Sequence, residues 1–331
     1  MSLIEMDSGG AISVDELVVR LREQESGKKL GWPDLDERVA GLGPGDLALI
    51  MGRTGHGKTA VLLNLLVRWL EAHPDQAFAL FCYELPAERI FLRLISLLTG
   101  RHGVGGWPYH EVLGWMRRGD GRAPDGLAVA QLSAAIETFQ RWSERLHLVH
   151  RPHWTLDDAA AHCRRLADRG PRLGAVLVDH LRLVPPANGD SGPSATARRL
   201  RQLGVELRCP VIAAAPVGPG QARSYADIPE GRLTDDSVMA TIAKRRPQLH
   251  HLPDGSGDQD ADLVLGLLNY QADFLAARED RNLAAPAATE SGSAGPFDIA
   301  VIKNRNGPLG ISTLVLESRT GYIRERGAFE R

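Results

Sequence analysis

The stretch "GRTGHGKT", residues 52–59, constrains what this chain can fold into more than any other. Gly52, Gly57, Lys58 and Thr59 carry the spacing G-x-x-x-x-G-K-[ST], in which backbone N–H groups and a lysine cradle nucleotide phosphates. The flanks decide whether the pattern means anything. Before it, "GLGPGDLALIM" reads as a Gly/Pro turn and a strand; after it, "AVLLNLLVRWLEAH" has the length and leucine content of a buried helix. Strand, glycine loop and helix in that order aim the N–H groups of residues 55–59 at an anion beside the positive end of the helix dipole. The candidate nucleotide-binding set is therefore Gly52, Arg53, Thr54, Gly55, His56, Gly57, Lys58, Thr59 and Ala60. Within it Lys58 would meet the β and γ oxygens and Thr59 would hold Mg²⁺.

Further short apolar runs, "FALFCYE", "GAVLVD", "PVIAAAP", "DLVLGLLN" and "FDIAVIKN", alternate with helical stretches such as "GLAVAQLSAAIETFQRWSERL". That rhythm predicts an α/β fold with a mainly parallel central sheet flanked by helices. Ser13 reads as the N-cap of a leading helix in "SVDELVVRLREQ". Residues 101–126 read as an irregular excursion, and 185–195 and 277–296 as long loops. The 331 residues, 43% hydrophobic, suffice for a sizeable core, and no linker cuts them in two. Thirty-nine basic residues balance 41 acidic ones, so any nucleic-acid surface must be local. Three dispersed cysteines fit a reducing compartment, no apolar run reaches membrane-spanning length, and the N-terminus carries no export signal. A cytoplasmic protein that engages no membrane is the expectation.

Two other strand ends carry carboxylates. Asp179 closes "GAVLVD", where an ATP-hydrolysing phosphate-loop enzyme needs a carboxylate for the Mg²⁺ shell. Glu84 closes "FALFCYE" and is placed to orient or deprotonate an attacking water. Lysine, aspartate and glutamate then surround one phosphate chain, since open α/β sheets bind ligands at the carboxyl ends of their strands. In "VIKNRNGPLG", Lys303 and Arg305 occupy alternate positions before an Asn-Gly turn. They read either as a solvated basic pair or as an arginine finger for a γ-phosphate, with spacing silent on whether its own site or a neighbour's is served. His147, His150, His153 and His162, with Cys163, match no usual zinc spacing, so no metal site is expected there.

From about residue 28 to the C-terminus these segments resemble the C-terminal ATPase domain of the DnaB family of replicative hexameric helicases. "GWPDLDERVAGLGPGDLALIMGRTGHGKTAVLLNLL" is similar to the family's entry turn, strand, phosphate loop and helix. "LFCYELPAERIFLRLIS" looks like the segment of its catalytic glutamate, here Glu84, and "AVLVDHLRLV" like its Mg²⁺ strand, here Asp179. The Gln259–Asp262 run precedes a strand as in the family, and "IKNRNGPLG" is similar to its trans-acting finger, which assigns Lys303 and Arg305 to a neighbouring subunit's ATP. The resemblance implies a RecA-like P-loop NTPase fold over 28–331, antiparallel strands at the C-terminal edge, and 1–27 as a tail and linker helix. It also implies ATP and Mg²⁺ as cofactors, a homo-oligomeric, hexameric ring, and single-stranded DNA held by loops at 185–200, with Arg198 and Arg199, and at 244–257, with Lys244, Arg245 and Arg246.

The chain departs from the pattern. Pro216 stands where the family has a glutamine that senses the γ-phosphate, and a proline side chain neither donates nor accepts. Pro253, Asp254, Gly255 and Ser256 replace a cation-bearing stretch of the second loop. The family's separate N-terminal helical domain has no counterpart, so recruitment of primase or a loader is not expected. Both losses fall on coupling to DNA, while every hydrolysis residue is kept. Three readings follow: a ring ATPase acting on single-stranded DNA, a regulatory ATPase that switches a protein partner, and, on the phosphate loop alone, a small-molecule kinase.

Overall fold

A computed structural model describes residues 3–5, 11–13, 18, 27–101, 106–119, 121, 128–185, 193–218, 225–253, 259–281 and 294–327. The strands are β1 (Leu3–Glu5), β2 (Ala11–Ser13), β3 (Leu47–Gly52), β4 (Ala77–Cys82), β5 (Leu146–Val149), β6 (Leu173–Asp179), β7 (Val211–Pro216), β8 (Leu263–Asn269), β9 (Ala294–Asn304), β10 (Gly310–Glu317) and β11 (Tyr322–Arg324). The helices are α1 (Pro33–Asp36), α2 (Lys58–Ala72), α3 (Ala87–Gly100), α4 (Tyr109–Arg118), α5 (Val129–Arg141), α6 (Leu156–Arg169), α7 (Pro193–Leu207), α8 (Asp236–Ala243) and α9 (Tyr270–Asp280).

Nine strands form one sheet in the order β11-β10-β9-β8-β3-β7-β6-β4-β5. From β8 to β5 every pair is parallel, and β9, β10 and β11 add antiparallel strands at one edge. The parallel strands read as continuous apolar runs because both faces are covered. Alternate residues go to opposite sides: Ala48, Ile50, Phe78, Leu80 and Leu177 pack with α2, α3 and α5, and Leu47, Leu49, Met51, Val176 and Val178 with α6 and α7. Helix α2 is buried nearly all round, through Val61, Leu62, Leu65, Leu66, Trp69 and Leu70. Its buried Asn64 donates to Gly321 O (2.8 Å) and accepts from Ile323 N (3.0 Å), tying the helix to the β10–β11 turn.

Several boundaries differ from the sequence expectation. Ser13, the expected N-cap, ends β2, paired with Leu3 of β1, and of the expected leading helix only Val18 is described, as helical; the residues between lie outside the described ones. The stretch 101–126 is not wholly irregular, because Tyr109–Arg118 forms α4, whose Val112 packs on the core. Helix α7 begins at Pro193, α9 runs to Asp280 and β9 begins at Ala294, which shortens both expected loops. Their remainders, 186–192 and 282–293, lie outside the described residues, as does 254–258 of the second expected DNA loop. Among the described residues no helix is long and apolar enough to cross a membrane.

The phosphate loop needs its glycines. Gly55 has φ 80° and Gly57 φ 83°, a region that L side chains avoid at a cost of about 1–2 kcal/mol. A Cβ on Gly55 would meet nothing within 4 Å, whereas one on Gly57 would stand 3.2 Å from the Phe297 ring. Gly55→Ala should therefore lower the unfolding free energy by about 1 kcal/mol and Gly57→Ala by visibly more, as read by urea denaturation.

Candidate nucleotide-binding site

The parallel strands all direct their carboxyl ends to one edge, and there β3, β4 and β6 deliver their functional residues to a single cleft of about 610 Å³. Thr54, Gly55, Gly57, Lys58, Thr59 and Ala60 line it from the loop and α2, Glu84 from beyond β4, and His180 and Arg182 from beyond β6. Helix α2 starts at Gly57 without a side-chain cap, which leaves its first-turn N–H groups for an anion. Lys58 Nζ bends back onto Gly52 O (2.8 Å) and Arg53 O (3.1 Å). Burial lowers the Lys58 pKa, against the opposing fields of Asp179 and Glu84.

Thr59 Oγ1 donates to Asp179 Oδ2 at 2.8 Å, so the loop of β3 and the end of β6 meet directly. Asp179 is 2% exposed, and its Oδ1 is buried with no hydrogen-bond partner among the described residues. Burial raises the carboxyl pKa, with the Thr59 hydrogen bond opposing. An orphaned buried carboxylate oxygen beside a threonine hydroxyl fits a divalent cation, which would satisfy the oxygen and favour the ionised form. Glu84 is exposed at the cleft, held near Asp179 because Tyr83 N donates to Asp179 O at 2.6 Å.

Arg53 and His56 belong to the phosphate loop through their backbones only. Their side chains turn to Asp273 on α9, which is fully buried: Arg53 Nη2 lies 2.5 Å from Asp273 Oδ2, and His56 Nε2 lies 3.2 Å from Oδ1. Asn269 N donates to His56 Nδ1 (3.2 Å), and burial holds the imidazole pKa below its usual value. The pair anchors the loop to the helix after β8, so neither side chain lines the cleft.

Arg305 lies at the other end of the sheet. Its N–H donates to Asp262 O (2.9 Å), its Nη1 to Asp262 Oδ1 (2.8 Å) and its Nη2 to Gln259 O (2.6 Å). Arg201 Nη2 approaches the same Asp262 oxygen at 3.3 Å, and Asp262 Oδ2 accepts from Leu47 N at 3.0 Å. Leu47 opens β3 and Gly52 closes it, five residues apart, or about 17 Å at strand rise. Arg305 is thus anchored a full strand length from its own phosphate loop. Lys303 lies in β9 opposite Val264, near the same end.

The cations expected at DNA divide into two groups. Arg198 and Arg199 stand on the outer face of α7, Arg199 paired with Asp157 at 2.5 Å, and Lys244 is partly exposed after α8. Arg245 and Arg246 are engaged by carboxylates of the fold. Arg245 is 1% exposed, ion-paired with Asp227 and stacked on the Tyr225 ring. Arg246 is bonded to the buried Asp298 (2.6 Å) and to Tyr270 Oη (2.7 Å). Both hold the α8–β9 region together, because a guanidinium taken from water requires a carboxylate partner. Of the histidines, His162 sits edge-on to Phe81, and His150 Nδ1 lies 2.8 Å from Cys82 O.

Sequence reasoning missed Asp273, Arg93, His180 and Arg182. Arg182 lies three residues beyond Asp179, close enough to have been inferred; Arg93 and Asp273 meet the site only through packing of α3 and α9.

Two measurements test the site. Asp273→Ala leaves the Arg53 guanidinium, 14% exposed, without its carboxylate, and should cost about 3–5 kcal/mol of stability in urea denaturation. Burial, with the fields of Lys58 and Arg182, pushes the His180 pKa down to about 4 from 6.5. Between those values the unfolded chain binds a proton there and the folded chain does not, so acidification through that window removes stability. The stability difference between wild type and His180→Gln should fall from pH 6.5 to about 4 and stay flat above pH 7.

The model of the DnaB-like helicase C-terminal domain family matches residues 27–221. The replicative DNA helicase DnaC of Bacillus subtilis is 25% identical over 295 residues, which cover 87% of this chain and 54% of that protein. The replicative DNA helicase DnaB of Leifsonia xyli is 27% identical over 304 residues, covering 90% and 56%. This chain spans about half the length of those curated relatives. Among solved structures, an isolated ATPase domain superposes with a TM-score of 0.72 at 21% identity, covering 95% of this chain and 99% of that one. A DnaB-like replicative helicase, solved for its interactions with primase, gives 0.68 at 21% identity, covering 96% and 69%. The sheet order, the phosphate loop and the match over 27–221 lead to one conclusion: the chain belongs to the DnaB-like helicase C-terminal domain family.

Proposed function

We propose that residues 28–331 form a RecA-like ATPase domain that hydrolyses ATP at the interfaces of a homo-oligomeric, hexameric ring and couples hydrolysis to single-stranded DNA. The convergence of three strand ends on one cleft carries the ATPase reading. The uncapped start of α2 and Lys58 bind the phosphate chain, Thr59 and Asp179 would hold Mg²⁺, and Glu84 accepts a proton from the attacking water. Mg²⁺, when bound, neutralises charge on the distal phosphates.

The position of Arg305 supports the ring. A guanidinium anchored about 17 Å of strand from its own loop serves hydrolysis only if a second subunit brings its cleft to it. Lys303, Arg305 and the exposed Leu309 and Ile311 lie on one hairpin, which would form that contact. DNA contacts are assigned to Arg198, Arg199 and Lys244, through phosphate neutralisation. The setting would be the cytoplasm of a bacterial cell, where the relatives' replicative activity belongs.

A second reading keeps the ATPase and replaces DNA with a protein partner. Pro216, opposite Gly52 in the sheet, and the burial of Arg245 favour it, since each removes a group that coupling to DNA would use. Hydrolysis measured with and without single-stranded DNA, at several protein concentrations, separates the two. Stimulation by DNA supports the first, and indifference to DNA supports the second.

The trans arrangement has its own test. Arg305→Ala should reduce turnover by about 10³-fold or more with nucleotide binding nearly intact. Mixing it with Lys58→Ala, itself inactive, should restore activity at interfaces that pair an intact loop with an intact finger. Normal turnover of Arg305→Ala alone would remove the finger assignment.

A further inference from the structure

We propose that Arg182 is the residue by which this chain distinguishes a nucleoside triphosphate from a diphosphate, through a direct contact to the terminal phosphate. The inference rests on the nucleotide reading of the cleft given above.

The strand beside the phosphate loop on one side is β7, and its last residue, Pro216, is in register with Gly52. Proline has neither a backbone N–H nor a polar side chain, so β7 offers no donor at that position. The next strand, β6, ends in Asp179 and leads through His180 into a 3-10 turn, Leu181–Leu183. Leu181 and Val184, 2% and 7% exposed, root that turn in the core, and Leu183 N donates to His180 O at 3.0 Å. With its flanks held, the turn presents Arg182 to the cleft wall.

Most other arginines near the sheet ends are engaged: Arg305 on Asp262, Arg246 on Asp298, Arg53 on Asp273 and Arg145 on three backbone carbonyls. Arg182 is exposed and makes no hydrogen bond or ion pair with any described residue. The nearest carboxylate along the chain, Asp179, is committed to Thr59. A guanidinium facing a phosphate cleft without a counter-ion is poised for a ligand oxygen, and its planar fork suits phosphate. Charge fits too: Lys58, Arg93 and Arg182 outnumber Glu84 and Asp179 on the cleft and its floor by one, a surplus that favours the more highly charged nucleotide.

The position singles out Arg182 over Arg93. The Thr59–Asp179 bond marks where the distal phosphates meet Lys58, and Arg182 leaves the backbone three residues beyond Asp179. The same turn packs directly against α7, the helix bearing Arg198 and Arg199.

Displacement of a fluorescent ADP analogue by ADP and by a non-hydrolysable ATP analogue, with Mg²⁺, tests the inference. Arg182→Gln should weaken the triphosphate analogue by about tenfold or more, the loss of one charge-assisted hydrogen bond, and ADP by less than about twofold. Arg182→Lys should restore part of the preference. Arg89→Gln, the same charge change on α3 outside the cleft, should leave both affinities unaltered. Equal weakening of both nucleotides by Arg182→Gln, or none, overturns the assignment. Lys58→Ala reports on the underlying reading: if it weakens neither nucleotide, the cleft is not the nucleotide site and the inference falls with it. If Lys58→Ala weakens both while Arg182→Gln shows no selectivity, only the inference falls.

Discussion

The bond from Thr59 Oγ1 to Asp179 Oδ2, 2.8 Å long, is the interaction on which the site depends. It joins two strands that are not neighbours, since β7 lies between β3 and β6. It can form only because parallel strands send their carboxyl ends the same way and because α2 begins directly at the loop. Helix α2 is buried along its length and uncapped at its start, so its body is held by packing while its first-turn N–H groups stay open to an anion. Burial of Asp179 leaves Oδ1 orphaned, a cost accepted where a cation would sit.

The loop is held from behind as well. Asp273 gathers Arg53 and His56, and Asn269 N reaches the other nitrogen of the imidazole, so the loop's shape rests on β8 and α9 as much as on its glycines. Two residues inside a phosphate-binding pattern thus serve as braces. At the opposite end of the sheet Asp262 does comparable work, receiving Leu47 N, Arg201 and Arg305 on one buried carboxylate. The edge that carries the phosphate-loop pattern and the edge that bears Arg305 are therefore separated by the length of β3.

Much of this was legible beforehand. The strand, loop and helix around "GRTGHGKT", the carboxylates just beyond β4 and at the end of β6, and the Asn-Gly hairpin after β9 appear where period and turn chemistry place them. Less legible were α4, hidden in a Gly- and Trp-rich stretch, and β2, the three-residue strand that ends at Ser13. The basic run Lys244–Arg246 shows what its residue order leaves open. Charge in a sequence suggests a solvated surface, yet Asp227 and Asp298, distant along the chain, take two of the three guanidinium or ammonium groups inward.

The sequence by itself determined the chemistry available: a glycine loop with its lysine and threonine, carboxylates at or just beyond two strands, and an alternating basic pair. Those depend on local spacing and on the burial pattern of single elements, both written in the order of residues. Only the tertiary structure decided which side chains face the cleft, that Arg53 and His56 turn away to Asp273, that Arg182 turns in, and that Arg305 stands a strand length from its own loop. Such outcomes depend on strand order and on partners up to 220 residues away, and the pairing of buried charges is settled by packing that no local pattern encodes.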